Sequence, residues 1–336
     1  MLRLRSYFYV IAICFISAFY PASVHADQVV VYSARIEQLI KPMFDAFTRE
    51  TGILVKYTTD NEGALLARLA AEGKNTQADM FITADAGNLW AAAQSGLLKP
   101  IQSEVLQANI PAHLRDPKNE WFGLSIRART LIYNTQKVKP EDLSTYEDLA
   151  DKKWRNRLCL RTSKKVYNQS LVAMMIAEHG EEAAEKIVKG WVANLATDPL
   201  SDDTKAMEFV AAGKCDVTLV NTYYYGRLMK NDPKLPLAIF WPNQQSSGVH
   251  VNISGAGVTR HSRNEQAAIK LLEFLSSDKA QNLFADVNME YPANPRIAPD
   301  PFVATWGSFK QNPMNLVRAG ELQTTAVKLM DRAGYR

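Results

Sequence analysis

The chain has 336 residues, 47% hydrophobic and 22% charged, with 39 Lys and Arg against 35 Asp and Glu. That length exceeds what one hydrophobic core organises, so two lobes are expected. A net charge of +4 with no dense basic run leaves no footprint for nucleic acid.

At the N-terminus, Arg3 and Arg5 precede an apolar stretch over 7–20, and Val24-His25-Ala26 supplies a small-x-small cleavage pattern. These are the parts of an export signal, with an apolar core too short to span a bilayer comfortably. Cleavage is expected after Ala26, leaving about 310 residues from Asp27 onward, soluble and periplasmic. Cys14 lies inside the apolar stretch and is followed by Phe15-Ile16, which does not suit lipid attachment. No later segment is apolar and long enough to span a membrane. Loss of Arg3 and Arg5 leaves 37 of the 39 basic residues against 35 acids, a balance of +2.

Strand and helix patterns then alternate, which predicts an α/β fold. Strands are expected at 28–32, 53–58 and 79–83. A helix over 38–51 carries Leu39, Ile40, Met43, Phe44 and Phe47 at helical spacing, and others follow at 64–73 and 88–95. A second block repeats the logic, with a strand at 158–161, helices at 168–179, 183–195 and 204–212, and a strand at 216–220. Extended segments at 121–133 and 249–258 are expected to cross between the lobes, with Gly123, Gly255 and Gly257 easing bends. A helix at 265–275 returns to the first lobe. The first lobe is expected to comprise 27–126 and 250–292, and the second 127–249 and 293–336, with the ligand in the cleft between them.

Only Cys159 and Cys215 remain after cleavage. In an oxidising compartment an isolated pair favours a disulfide, and each cysteine falls in or directly before a predicted strand, so neighbouring strands could be bridged. A metal–thiolate site is not expected from two cysteines without a matching histidine cluster. His113, His179, His250 and His261 are scattered and read as surface or supporting residues.

Tyr223-Tyr224-Tyr225 is the most informative feature. The apolar run Val217-Thr218-Leu219-Val220 reads as a buried strand, and Asn221 or Thr222 as the N-cap of the helix it feeds. The phenols are thereby placed at a helix N-terminus, where free N–H groups and the helix dipole favour negative charge. A phenol ordinarily keeps its proton at neutral pH, because its pKa is about 10. A trivalent ion can displace that proton, and phenolate is a hard oxygen donor suited to it. The pattern therefore points to ferric-ion binding, the alternative being an aromatic first turn packed in a core or interface.

An ordered set of segments carries a family resemblance. It comprises Val31-Tyr32-Ser33-Ala34-Arg35, Glu50-Thr51-Gly52-Ile53, the stretch from Ala78 to Ala86, Gly96-Leu97-Leu98, the stretch from Gly123 to Arg129, and Leu143 to Leu149. It continues through Tyr167-Asn168-Gln169-Ser170-Leu171, Val220-Asn221-Thr222-Tyr223-Tyr224, Ser254-Gly255-Ala256-Gly257 and Glu290-Tyr291-Pro292. With these, the chain resembles the periplasmic ferric-ion-binding proteins of bacterial ABC importers, the transferrin-like bacterial iron carriers, over nearly all of its mature length. The resemblance implies a two-lobed periplasmic binding protein of type II-like architecture, with two hinge strands and Fe³⁺ in the interlobe cleft. It implies Tyr223, Tyr224 and Tyr167 as metal ligands, and leaves Tyr225 without a ligand role, packed on another helix face. An ABC permease and its ATPase are the implied partners, with ferric iron or a ferric chelate as cargo and a monomer as the working form.

The first loop departs from that pattern. Many relatives place a histidine, or a His-Tyr pair, where this chain has Ile36 and Glu37. Ile36 cannot bind metal, whereas Glu37 is an oxygen donor and a candidate substitute. A carboxylate ligand of some relatives falls near Ala84, and the adjacent Asp85 reads as a helix cap rather than a ligand. Three phenolates balance Fe³⁺ in charge but leave an octahedral ion short of donors. The shortfall suggests Glu37, water, or a small synergistic anion such as carbonate. Arg35, Arg127 and Arg129 are the candidates to hold that anion or support the phenolates, with Arg129 the least favoured. The alternatives are a binding protein for an oxyanion, a polyamine or a thiamine-like solute, and an enzyme on the same scaffold. No hydrolase, zinc-protease, P-loop or redox motif supports an enzyme.

Overall fold

The computed structural model describes residues 28–336, so the expected export signal over 1–26 lies outside the described residues. The first α/β block contains β1 (Gln28–Ser33), α1 (Glu37–Thr51), β2 (Leu54–Thr59), α2 (Glu62–Glu72), β3 (Met80–Thr83), α3 (Ala86–Gln94) and α4 (Glu104–Asn109), and leads into the long strand β4 (Phe122–Asn134). The second contains β5 (Leu158–Cys159), α5 (Val166–His179), α6 (Glu181–Ala193), α7 (Asp203–Ala211), β6 (Val217–Asn221), α8 (Thr222–Asn231) and β7 (Leu237–Phe240). The chain then returns through β8 (Val251–Val258), α9 (Glu265–Ser276), α10 (Asp278–Asn288) and β9 (Tyr291–Pro292), and ends with α11 (Pro301–Ala304) and α12 (Val317–Arg332).

The main path of the sheet runs β2-β1-β3-β8-β4-β6-β5, with β7 and β9 also paired to β4. β1 lies parallel to β2 and β3, while β8 is antiparallel to both β3 and β4. β4 is the shared element, buried along its whole length. Its residues from Phe122 to Ala128 pair with β8, whereas Arg129 to Tyr133 pair with β6 and Leu131 to Asn134 with β7. One strand thus passes from one block into the other, as the extended segment at 121–133 predicts. The Tyr146 hydroxyl ties the handover, donating to the Arg129 carbonyl and accepting from the His250 N–H at 3.0 Å.

Gly123 and Gly255 pair with each other beside a register shift in β4 between Gly123 and Ser125, the kind of irregularity that bends a strand, whereas Gly257 pairs within the β3–β8 ladder. Gly255 and Gly257 also allow close approach. A Cβ at Gly255 would come within 2.6 Å of the Phe122 carbonyl, and one at Gly257 within 2.5 Å of that of Glu120. Such contacts are closer than packed atoms tolerate.

Each block buries its own apolar cluster. In the first, Ile40, Met43, Phe44 and Phe47 of α1 pack inward with Val29 and Val31 of β1. In the second, Trp154, Trp191 and the apolar face of α5 pack against β6. α12 contacts both α3 and α5, and so links the two blocks. Among the described residues, no helix is long and apolar enough to cross a membrane.

Cys159 and Cys215 form a disulfide, with their Cα atoms 5.8 Å apart. The expected strand over 158–161 is only two residues long, and Cys215 precedes β6, so the bond joins the last residue of β5 to the segment that enters its parallel neighbour β6. It closes a sequence separation of 56 residues. Reduction, or paired Cys→Ser substitution, is expected to lower stability by about 2–4 kcal/mol. Urea unfolding of oxidised and reduced protein checks this, and coincident midpoints would show that the bond contributes nothing.

Candidate metal centre

The tyrosine helix begins where β6 ends. Asn221 is the N-cap residue of α8 with extended backbone, but its side chain makes no capping bond. The Asn221 N–H instead donates to Asp203 Oδ2 at 2.9 Å, anchoring the start of α8 to the first residue of α7. The same carboxylate binds Arg129 Nη1 at 2.6 Å and Arg161 Nη1 at 3.2 Å. All three side chains are almost fully buried, and the paired charges offset a desolvation cost that neither could bear alone.

From this anchor α8 presents Tyr223 and Tyr224 to a pocket of about 210 Å³. Tyr167, the second residue of α5, faces them. The Tyr223 hydroxyl donates to that of Tyr167 at 3.2 Å, and the Tyr223 and Tyr224 ring centroids are 4.3 Å apart. Tyr225 points elsewhere, packing edge-on to Trp306 with its hydroxyl 3.5 Å from the Leu237 carbonyl. Adjacent helix residues diverge in this way by about 100°.

Cations surround the phenols. The Arg127 and Arg161 guanidiniums lie 5.4 and 5.1 Å from the Tyr167 ring centroid, and Arg227 lies 5.1 Å from that of Tyr223. Arg127 is buried and approaches Ser254 Oγ at 3.4 Å, but its Nε and Nη2 have no hydrogen-bond partner. Burial raises the Tyr223 and Tyr167 pKa values above the ordinary phenol value. At Tyr223 the neighbouring phenols Tyr167 and Tyr224 add to that rise and Arg127 opposes it; at Tyr167 Arg127 opposes it, Tyr224 adds to it, and the hydrogen bond from Tyr223 lowers it. Without a metal these two phenols are therefore neutral at pH 7.

Arg35 also lines the pocket, held by Glu290 at 3.1 Å and by Ser254. Burial disfavours the charged form of Glu290, but Arg35 and Arg127 outweigh it and keep the carboxyl below its usual range. Behind them, Asn252 bridges Asp85 at 2.8 Å and Ser170 at 3.0 Å, and Ser170 meets His250 at 3.0 Å. Burial, with Arg129 and Arg127 nearby, lowers the His250 pKa to about 3, so the ring is neutral. Asp85 caps α3 by accepting from the Asn88 N–H at 3.0 Å, as the sequence suggests.

Five of the expected site residues therefore converge: Tyr167, Tyr223, Tyr224, Arg35 and Arg127. Two do not. Glu37 opens α1 on the surface, accepts a 2.8 Å bond from the Tyr57 hydroxyl, and lines an adjoining pocket beside Thr59 and Asp60 that shares Ala34, Arg35 and Ile36 with the tyrosine pocket. Arg129 turns into the second block, bonding Asn168, Asp203 and the Leu219 carbonyl. Arg127 and Arg129 are two residues apart and would share a face of a regular strand. The change of partners after Ala128 separates them.

Glu62, Arg227 and Glu290 also line the pocket and were not anticipated as site residues. Arg227 had a readable signal, since it lies four residues after Tyr223 on the same helix face. A second group of potential ligands, Glu147, Glu178 and His179, gathers within 4.8 Å outside this pocket. His179 and Glu147 are 2.9 Å apart there, an ordinary ion-pair distance.

Residues 42–311 match the family of bacterial extracellular solute-binding proteins. The chain is 42% identical to iron uptake protein A1 of Synechocystis sp. over 316 residues, covering 92% of this chain and 88% of that one. It is similar in structure to Trichodesmium IdiA (FutA) in complex with iron and citrate ligands, with a TM-score of 0.89 and 42% identity over 92% of this chain and 100% of that one. Ferric iron-binding protein A of Mannheimia haemolytica, in an open conformation, gives a TM-score of 0.87 at 36% identity, over 92% and 99% of the two chains. The fold, the match along most of the chain and these relatives together assign the protein to the bacterial extracellular solute-binding proteins, in their iron-uptake and ferric-ion-binding branch.

Proposed function

We propose that this protein is the exported ferric-iron carrier of a bacterial ABC importer. It binds Fe³⁺ between its lobes through the phenolates of Tyr167, Tyr223 and Tyr224, and delivers the ion to an inner-membrane permease driven by its ATPase. The observation that carries this reading is the convergence of three phenols on one pocket walled by arginines. Buried neutral phenols are poor donors to a soft or weakly charged ligand. A trivalent ion repays the loss of their protons, and their three negative charges then neutralise it. Arg127, with two unpartnered N–H-bearing nitrogens, is the natural holder of a small anion such as carbonate beside the ion.

The protein purified from the periplasm is expected to gain a visible tyrosinate-to-iron absorption band with ferric citrate and to carry one iron per chain by elemental analysis. A colourless, iron-free protein would overturn the reading in favour of another solute.

Iron affinity should also fall as pH drops, because protons compete for the phenolate oxygens. Burial raises the pKa of Tyr167 and Tyr223, which moves this competition to higher pH. More than one proton is displaced per ion, so the apparent constant should fall by more than about tenfold per pH unit. A competition titration against a chelator, corrected for the chelator's own protonation, measures the slope. A pH-independent constant would contradict phenolate ligation.

A further inference from the structure

Three ligands from the second lobe do not explain why the lobes would close on iron. A ligand shifts a conformational equilibrium only through contacts that differ between the two states. Closure driven by the ion therefore requires a contact that the first lobe makes only when closed. The first-lobe side chains on the pocket offer few ways to make it. Ala34, Ile36, Leu39 and Ala84 have no donor atom, and Arg35 is a cation bound to Glu290. Glu290 is itself committed to Arg35 and Ser125.

Glu62 is left. It opens α2 directly after Asn61, whose side chain caps the helix by accepting from the Ala64 N–H at 2.9 Å. It is half-buried, lines the same pocket as the three tyrosines, and has no hydrogen-bond or ion-pair partner among the described residues. Arg227 on the opposite wall likewise has no ion-pair partner among the described residues. An unpaired carboxylate thus faces the phenols across the cleft, with a cation near them to moderate the added negative charge. Its carboxylate oxygens are hard donors of the kind Fe³⁺ prefers.

We propose that Glu62 is the first-lobe oxygen donor to the bound ferric ion, and that its bond to the metal couples iron binding to closure. This rests on the iron reading above. Glu62 takes the place of the donor that Ile36 and Ala84 do not supply, and it does so from the start of α2, not from the start of α1, where Glu37 lies.

The test titrates ferric iron into wild type, Glu62→Gln and Glu37→Gln in competition with nitrilotriacetate. Tyrosinate absorbance reports occupancy, and small-angle X-ray scattering reports contraction on loading. Glu62→Gln is expected to keep its colour at saturating iron, to lose at least about 10-fold in affinity, and to contract less than wild type. Glu37→Gln should match wild type in both readouts. A carboxylate at a helix start with only a structural role would alter the melting temperature of the iron-free protein slightly and leave contraction intact. Glu62→Gln matching wild type in affinity or in contraction overturns the inference and leaves the tyrosine site standing. Colourless wild type overturns the iron reading itself.

Discussion

Tyr223→Phe, Tyr224→Phe and Tyr167→Phe should each lose iron affinity by more than about 100-fold, the upper end of what losing only an outer supporting contact costs. The visible band should vanish in the first two variants. Each substitution removes one oxygen and keeps the ring, so packing against the neighbouring aromatic is retained. Tyr223→Phe also removes the 3.2 Å hydrogen bond to Tyr167, which is worth about 1 kcal/mol of stability at most. The folded protein should therefore survive with its metal site disabled, and circular dichroism would verify that. Tyr225→Phe is the internal control. Its hydroxyl points to the Leu237 carbonyl away from the pocket, so colour and affinity should match wild type. Retained colour in both Tyr223→Phe and Tyr224→Phe would end the ligand assignment.

Asp203→Ala should be among the most destabilising single substitutions in the second lobe. The carboxylate is fully buried and serves Arg129, Arg161 and the Asn221 N–H at once. Its removal strands two buried guanidiniums and leaves the first turn of α8 unanchored. Breaking a buried ion pair from one side costs about 3–5 kcal/mol, which for a chain of this size lowers the melting temperature by roughly 10 °C. Because α8 carries Tyr223 and Tyr224, iron affinity should fall as well, although Asp203 touches no ligand oxygen. Asp203→Asn keeps an acceptor for the Asn221 N–H and should recover part of the affinity but little of the stability. Calorimetry of the iron-free variants decides the point, and a melting temperature within 2 °C of wild type would refute the anchoring role.

Elements whose signals are local were legible in the chain alone. The apolar spacing of α1, the glycine after it and the buried run of β6 follow from side-chain periodicity and backbone preference, and they lie within a residue or two of their expected ends. The tyrosines at the start of α8 were legible for the same reason, because a strand, a polar pair and an aromatic run are contiguous in the chain. Cys159 and Cys215 were legible by number and compartment alone.

Tertiary structure decided the rest, through groups distant in sequence. Leu160 and Arg161 leave the expected strand, where Arg161 makes an isolated bridge to Leu200 and pairs with Asp203. Arg127 and Arg129, alike in sequence, acquire different roles because β4 exchanges one set of partners for another between them. Glu37 and Glu62 are both exposed-type residues at helix starts, and nothing local distinguishes them. Only the packing of α2 beside the cleft brings Glu62 to the phenols while α1 turns Glu37 toward Tyr57. Local periodicity encodes which face of a helix is apolar. The position of a polar side chain relative to another element depends on how those apolar faces are buried together, and that is settled by the whole chain.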